Sequence, residues 1–330
     1  MKRPSRILLA AGIVFGGILA IAALGTWWIL QSTWLRETVR QKIISEIERS
    51  TGGQVELGDF QYDWRTLTAD FSNLVVHGTE PRTLPPLLRV ESGRITLRIV
   101  SLLTRDVHIA SLTVEHPEIH LLVRADGTTN IPAPRLPGRD RNDPVRELLD
   151  LKVRHFELSK GVLAVDERRI PMDMRGEGVR LLLRYERARP RYEIELSSDQ
   201  LHIDTGRLEP LALMVNARAA LERNRLTIQQ LTLASGDSSV RASGTVRNFV
   251  APQVDLQVDG AVAAIELKRV AGFEALSGGR LSFHGTSRYG QMGGMTFNGH
   301  AEARQVAYQV AGQRLRDVNI DSDVLASMQD

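Results

Sequence analysis

From residue 54 almost to its end, the chain alternates apolar and polar side chains with a period of two. Only an extended strand turns successive side chains to opposite faces, so the pattern commits the chain to β structure with one wet and one dry face. The cleanest runs are Arg94-Ile95-Thr96-Leu97-Arg98-Ile99, Ile170-Pro171-Met172-Asp173-Met174, Tyr192-Glu193-Ile194-Glu195-Leu196 and Val254-Asp255-Leu256-Gln257-Val258. Between 211 and 221, the residues Leu211, Leu213, Val215, Ala217, Ala219 and Leu221 share one face. About eighteen strands are expected, parted by turns such as Ala125-Asp126-Gly127-Thr128 and stacking to about 85 Å. No helical crossover lies between them, so the sheet should be mainly antiparallel. Two architectures stay open: a sandwich that buries its dry faces against each other, or an elongated sheet bent around its apolar face as a groove. A bare dry face of this size would aggregate, so the groove form needs an apolar cover.

One stretch breaks the alternation. Residues 132–150, PAPRLPGRDRNDPVRELLD, read as a linker ending in a short helix after Asp143-Pro144. They divide a smaller β unit (54–131) from a longer repetitive array (151–330). Ahead of the first unit, segment 31–53 spaces Leu35, Val39, Ile43 and Ile47 by four, with Ile44 beside them. That is an amphipathic helix, stopped by Thr51-Gly52-Gly53. Its apolar stripe could lie on a membrane or cap the following sheet, and the sequence favours neither.

Residues 7–30 carry no ionisable side chain and, as a helix, would span about 36 Å, enough for a hydrocarbon core of about 30 Å. Ala20-Ile21-Ala22 offers a cleavage pattern, but the apolar run is too long for a signal peptide, so an uncleaved anchor is expected. Trp27, Trp28 and Trp34 fit an interfacial belt at its exit. Gly12, Gly16 and Ala20 form a small-xxx-small stripe that reads as the ordinary glycine and alanine content of such helices in preference to a dimerisation face. Lys2, Arg3 and Arg6 place the six-residue tail in the cytoplasm, although Arg36, Arg40 and Lys42 weaken the asymmetry. Without those three residues the 42 basic side chains of the 330-residue chain fall to 39, equal to its 39 acids. The net charge of +3 therefore orients an anchor, and a nucleic-acid binder is excluded.

The chain has no cysteine, hence no disulfide scaffold and no thiolate metal site. It has no phosphate-binding glycine loop, no G-x-S-x-G and no H-E-x-x-H. His116 and His120 are four apart, but Pro117 and the alternation Ile119/Leu121/Val123 put them in or beside a strand, away from metal-binding geometry. Asp166, Asp173 and Glu177 read as solvated charge among arginines. No enzyme, cofactor or metal is expected.

The order of features resembles the AsmA/TamB family of envelope proteins. It is carried by the single anchor, the amphipathic helix, Thr51-Gly52-Gly53-Gln54-Val55, Trp64 and the Phe71–Val76 segment. More specific are LLRVESGRITLRI and then RDVHIASLTVEHPEIHLLVRADGTTNIP, with His116-Pro117, Asp126-Gly127 and Asn130-Ile131-Pro132. A repeat-like unit follows, with Gly236-Asp237, Ser243-Gly244 and a strand opened by Pro252. The resemblance implies a U-shaped, taco-like, mostly antiparallel sheet with an apolar inner groove, on the periplasmic side of a bacterial inner membrane. It implies movement of phospholipid toward the outer membrane, similar to bridge-like lipid transfer proteins with chorein-type N-termini, or assistance to outer-membrane β-barrel assembly or protein secretion. Groove candidates are Ile95, Leu97, Ile99, Val179, Leu181, Leu183, Tyr192, Ile194, Leu196, Leu211, Leu213, Val215, Val254, Leu256 and Val258. The same residues read equally well as ordinary core. The final AGQRLRDVNIDSDVLASMQD looks like a repeat in mid-course. We therefore expect a longer protein whose further C-terminal region would meet an outer-membrane β-barrel partner.

Overall fold

A computed structural model describes residues 33–63, 65–97, 109–133, 153–168, 172–206, 209–249, 251–271, 275–290, 294–310 and 313–328. The expected tail and anchor, with Lys2, Arg3, Arg6, Trp27 and Trp28, lie outside these residues, as do Trp64, Ile99 and nearly all of the linker. Trp34 and Leu97 are described in their backbone only. Among the described residues no helix is long and apolar enough to cross a membrane.

Helix α1 (Thr33–Thr51) leads into β1 (Gln54–Leu57), β2 (Phe60–Asp63), β3 (Thr68–His77), β4 (Leu88–Leu97) and β5 (Ile109–Val123). Next come β6 (His155–Glu167), β7 (Met172–Glu186), β8 (Arg191–Asp204), β9 (Leu211–Glu222), β10 (Arg225–Ser235), β11 (Ser238–Arg247) and β12 (Gln253–Ala263). Helix α2 (Ala264–Ala271) precedes β13 (Leu276–Tyr289), β14 (Met295–Val310) and β15 (Gln313–Met328). The strands form one open sheet in which, from β3 on, each strand pairs with its neighbours in sequence. β1 pairs with β3 on its other side, and β2 also pairs with β3. Every pairing is antiparallel except β5 with β6.

Two expectations need correction. The described residues form fifteen strands rather than eighteen, and the fourteen on the main path stack to about 60 Å. Bulges interrupt the two-residue period inside long strands such as β10 and β14 and imitate turns. The sheet is mainly antiparallel, as expected, and its one parallel step among the described strands falls where the linker joins β5 to β6. The linker is also not the only break in the strands, because α2 folds between β12 and β13.

Local chemistry accounts for the ends and kinks. α1 stops at Gly52, whose φ of 79° suits a residue without Cβ and whose N–H donates to the Glu48 carbonyl at 2.8 Å. β5 carries a proline in mid-strand beside His116, whose φ of 48° kinks the strand. The ladder to β6 has no pairs at 116 and 117, yet its register is the same on either side, at Glu115↔Ser159 and Glu118↔Val162. His116 faces Glu91 at 3.1 Å.

The buried core is concentrated at the N-terminal end. Leu57, Phe60 and Ala69 form its centre, and Ile43 and Ile44 of α1 pack on it with Phe71, Leu74 and Ile95. Of the two readings of the amphipathic segment, the described side chains of its stripe cap the sheet. Arg40 fixes the helix there, donating from Nε to the carbonyls of Leu57 and Gly58 at 3.1 Å each, with its Nη1 on Glu37 at 3.0 Å. A polar knot closes the other side of this unit. Buried Asn130 accepts from the Leu122 N–H at 3.0 Å and donates to the His120 carbonyl at 2.9 Å and to Glu80 at 3.2 Å. The N–H groups of Gly78 and Leu87 also donate to Glu80, at 2.9 and 3.2 Å.

Candidate functional site

In an antiparallel or parallel ladder, directly paired residues project to the same face. The register can therefore be followed strand by strand from β4 to β15. One row runs Ile95, Leu112, Phe156, Leu183, Ile194, Ala219, Ile228, Gly244, Leu256, Ser287, Phe297, Ala326. A second, two residues away, runs Gly93, Val114, Leu158, Leu181, Leu196, Ala217, Leu231, Ala242, Val258, Gly285, Gly299, Val324. Neither row contains a charged residue across twelve strands. Aromatic rings fill the space over two of the glycines on this face: a Cβ at Gly93 would collide with Phe71 across the ladder, and one at Gly260 with Phe283.

The opposite face is polar. Its rows include Asp70, Arg94, Thr113, Glu157, Leu182, Glu195, Arg218, Gln230, in which Leu182 is the apolar exception. Ion pairs knit it: Arg94 with Asp70 at 2.6 Å, Arg184 with Glu195 at 2.9 Å and Arg175 with Glu177 at 2.7 Å. The Arg175 hydrogen bond holds the Glu177 carboxyl below its ordinary range, and the Asp70 hydrogen bond raises the Arg94 guanidinium. Asp166 pairs with Arg168 at 3.0 Å, and Asp173 stands exposed opposite Asp166. These acids are arginine-matched surface charge rather than a reacting pair.

Most groove candidates fall on the apolar face. Ile95, Leu183, Ile194 and Leu256 lie in the first row, and Leu181, Leu196 and Val258 in the second. Val254 pairs with Val246 and Tyr289, Leu211 with Ile203, Leu213 with Leu201, and Val215 with Ser198 and Leu233. Val179 stands opposite Gly161, its Cβ close to the position that a Gly161 methyl would take. Leu97 pairs with Ile109 beyond a bulge. Tyr192 behaves differently. It is fully buried, 5.1 Å from the Tyr185 ring, and burial raises its hydroxyl pKa. It is a packing residue rather than an open wall.

Of the strand residues nearest α1, the sequence reading named only Ile95 as a groove candidate. There a cavity of about 330 Å³ is lined wholly by apolar side chains, including Ile43 and Ile47 of α1, Leu57, Phe71, Val114 and Phe156. Phe71, Val114 and Phe156 sit at alternating positions that could have been found from the same period, but the kink at His116 changes the phase in β5, where Val114 and Pro117 are both buried. Beyond this cavity the face changes character. Along β9, half-buried Leu211, Leu213, Val215 and Ala217 alternate with exposed Ala212, Met214, Asn216 and Arg218. Only Ala219 and Ala220 in that strand are buried. A sandwich would bury the first set fully. Among the described residues no second sheet packs on it.

No family model matches the chain, and no curated protein matches it. Chemically, the arrangement offers apolar contact over twelve strands.

Proposed function

We propose that the chain is an AsmA/TamB-type envelope protein, anchored in the bacterial inner membrane by residues 7–30, whose periplasmic β-sheet carries phospholipid toward the outer membrane. The sheet would bend around its apolar face to make a U-shaped groove for acyl chains. The observation that carries this reading is the uncharged double row running from β4 to β15 with its side chains only half covered. Each acyl CH₂ exposed to water costs about 0.8 kcal/mol, so a continuous apolar track lowers the barrier to transfer without fuel or covalent chemistry. α1 closes the track at one end, over the 330 Å³ cavity. A second reading, a scaffold for outer-membrane barrel assembly, is favoured by β15, which among the described residues pairs only with β14 and so offers a free edge for strand addition.

The test places a photocrosslinking residue at Leu181, Ile194 or Leu213, with Arg180 and Glu195 of the polar face as controls. Phospholipid should crosslink from the first three positions and not from the controls. Absence of lipid adducts at all three overturns the conduit. Asp at the same three positions should stop lipid traffic. If barrel-protein assembly stays intact in that variant, the scaffold reading fails.

A further inference from the structure

On the polar face, three neighbouring strands bring imidazoles and carboxylates to one place. His284 of β13 stands opposite His300 of β14, which stands opposite Asp323 of β15, and Glu302 stands opposite Asp321. We propose that His300, Glu302 and Asp321 bind a divalent transition-metal cation of the zinc class, bridging β14 to β15.

Donor spacing supports this. A tetrahedral ion with bonds of about 2.0–2.1 Å sets its donors about 3.3 Å apart. The His300 Nε2 lies 3.0 Å from Asp321 Oδ1 and 3.9 Å from Glu302 Oε1, and donor atoms of the three residues all fall within 4.8 Å of one another. An ion between them needs only small side-chain rotations.

A second observation is independent of that spacing. The other imidazole nitrogen, Nδ1, is 3.0 Å from Asp323 Oδ1. Metal-binding histidines generally donate their remaining ring N–H to a carboxylate, which fixes the tautomer and aims the free nitrogen at the ion. Asp323 is a positioning residue of this kind. Glu302 is similarly divided: Oε2 takes Arg304 Nη2 at 3.0 Å, which leaves Oε1 turned toward His300. The His284 ring, centred 5.4 Å from that of His300, stands beside the site. The mixed imidazole–carboxylate set suits zinc-class ions, whereas calcium and magnesium take all-oxygen sites.

The experiment uses the tag-free full chain, stripped with chelator and titrated with Co²⁺ followed by visible absorption, then with Zn²⁺ by calorimetry. One saturable equivalent of each is expected, with Zn²⁺ displacing Co²⁺. His300→Gln and Asp321→Asn should each weaken binding at least about tenfold, and Asp323→Asn by about tenfold while keeping the site. These substitutions replace half-exposed or exposed side chains with near-isosteres, and circular dichroism checks that the sheet is intact. No saturable equivalent in the unmutated chain, or unchanged affinity in both His300→Gln and Asp321→Asn, overturns the proposal.

Discussion

Strands β1–β5 and strands β7–β15 share one alternating pattern, yet their apolar faces end in different states. Beneath α1 the face has a second layer, and Leu57, Val76 and Val90 are each no more than 4 % exposed. In the later strands the corresponding side chains are half-buried, and Met295 and Ile320 lie open at 45 % exposure or more. The strand pattern specifies a dry side without specifying what covers it. The cover is a separate element, and among the described residues the helix that caps the buried core is at one end. Stability should therefore be concentrated under α1, while the later strands keep a surface available for an exchangeable occupant.

The sharpest way to break this contrast is to cut matching side chains in both regions. Phe60→Ala should cost about 3–5 kcal/mol, and Leu256→Ala about 1 kcal/mol because its face is already half open. Denaturant unfolding paired with site-resolved hydrogen exchange reads both. Equal losses would mean that the later strands are packed as tightly as the capped unit. Next in size is Asn130→Ala, which strips the Leu122 N–H and one Glu80 oxygen of a partner in a buried place and should cost about 2–3 kcal/mol. Exchange should then rise across β3–β5 and leave β9–β12 unchanged. The smallest effect is at Asp126, whose carboxyl is held below its ordinary range first by the Thr128 hydroxyl and then by the Thr128 N–H. Because the folded value is the lower one, this contribution is present above the ordinary aspartate range and is lost as pH falls through the folded midpoint. Carboxyl NMR should place that midpoint below the ordinary aspartate value, and Thr128→Ala should raise it.

The same two regions show what the sequence could reveal. Strands such as β8, β9 and β12 were legible because nothing interrupts their period at Tyr192–Leu196, Leu211–Leu221 or Val254–Val258. The dry face followed directly, since parity is the only information needed. Strand number and the single parallel step were not legible, although the mainly antiparallel direction was. A bulge such as the one at Ile228 and Gln230 changes parity without ending a strand, and periodicity carries no information on whether the step from β5 to β6 is parallel. α2 escaped because Ala261-Val262-Ala263-Ala264-Ile265 is apolar throughout and suits either period. The capping role of α1 was visible only as one of two choices. Its decision rests on Arg40 reaching the Leu57 and Gly58 carbonyls, a contact between groups far apart in sequence.

Strand order in the sheet follows strand order in the chain from β3 to β15. Most new strands therefore close only a short loop onto the strand made just before, and the entropy of loop closure stays small at nearly every step. Such a chain can zip up in the direction of its synthesis, with the α1-capped unit as the nucleus and each hairpin as an increment. The exception is the parallel step from Val123 to His155, the longest closure within that series of strands. It should be the slow step of folding and the point at which an incomplete chain would pause.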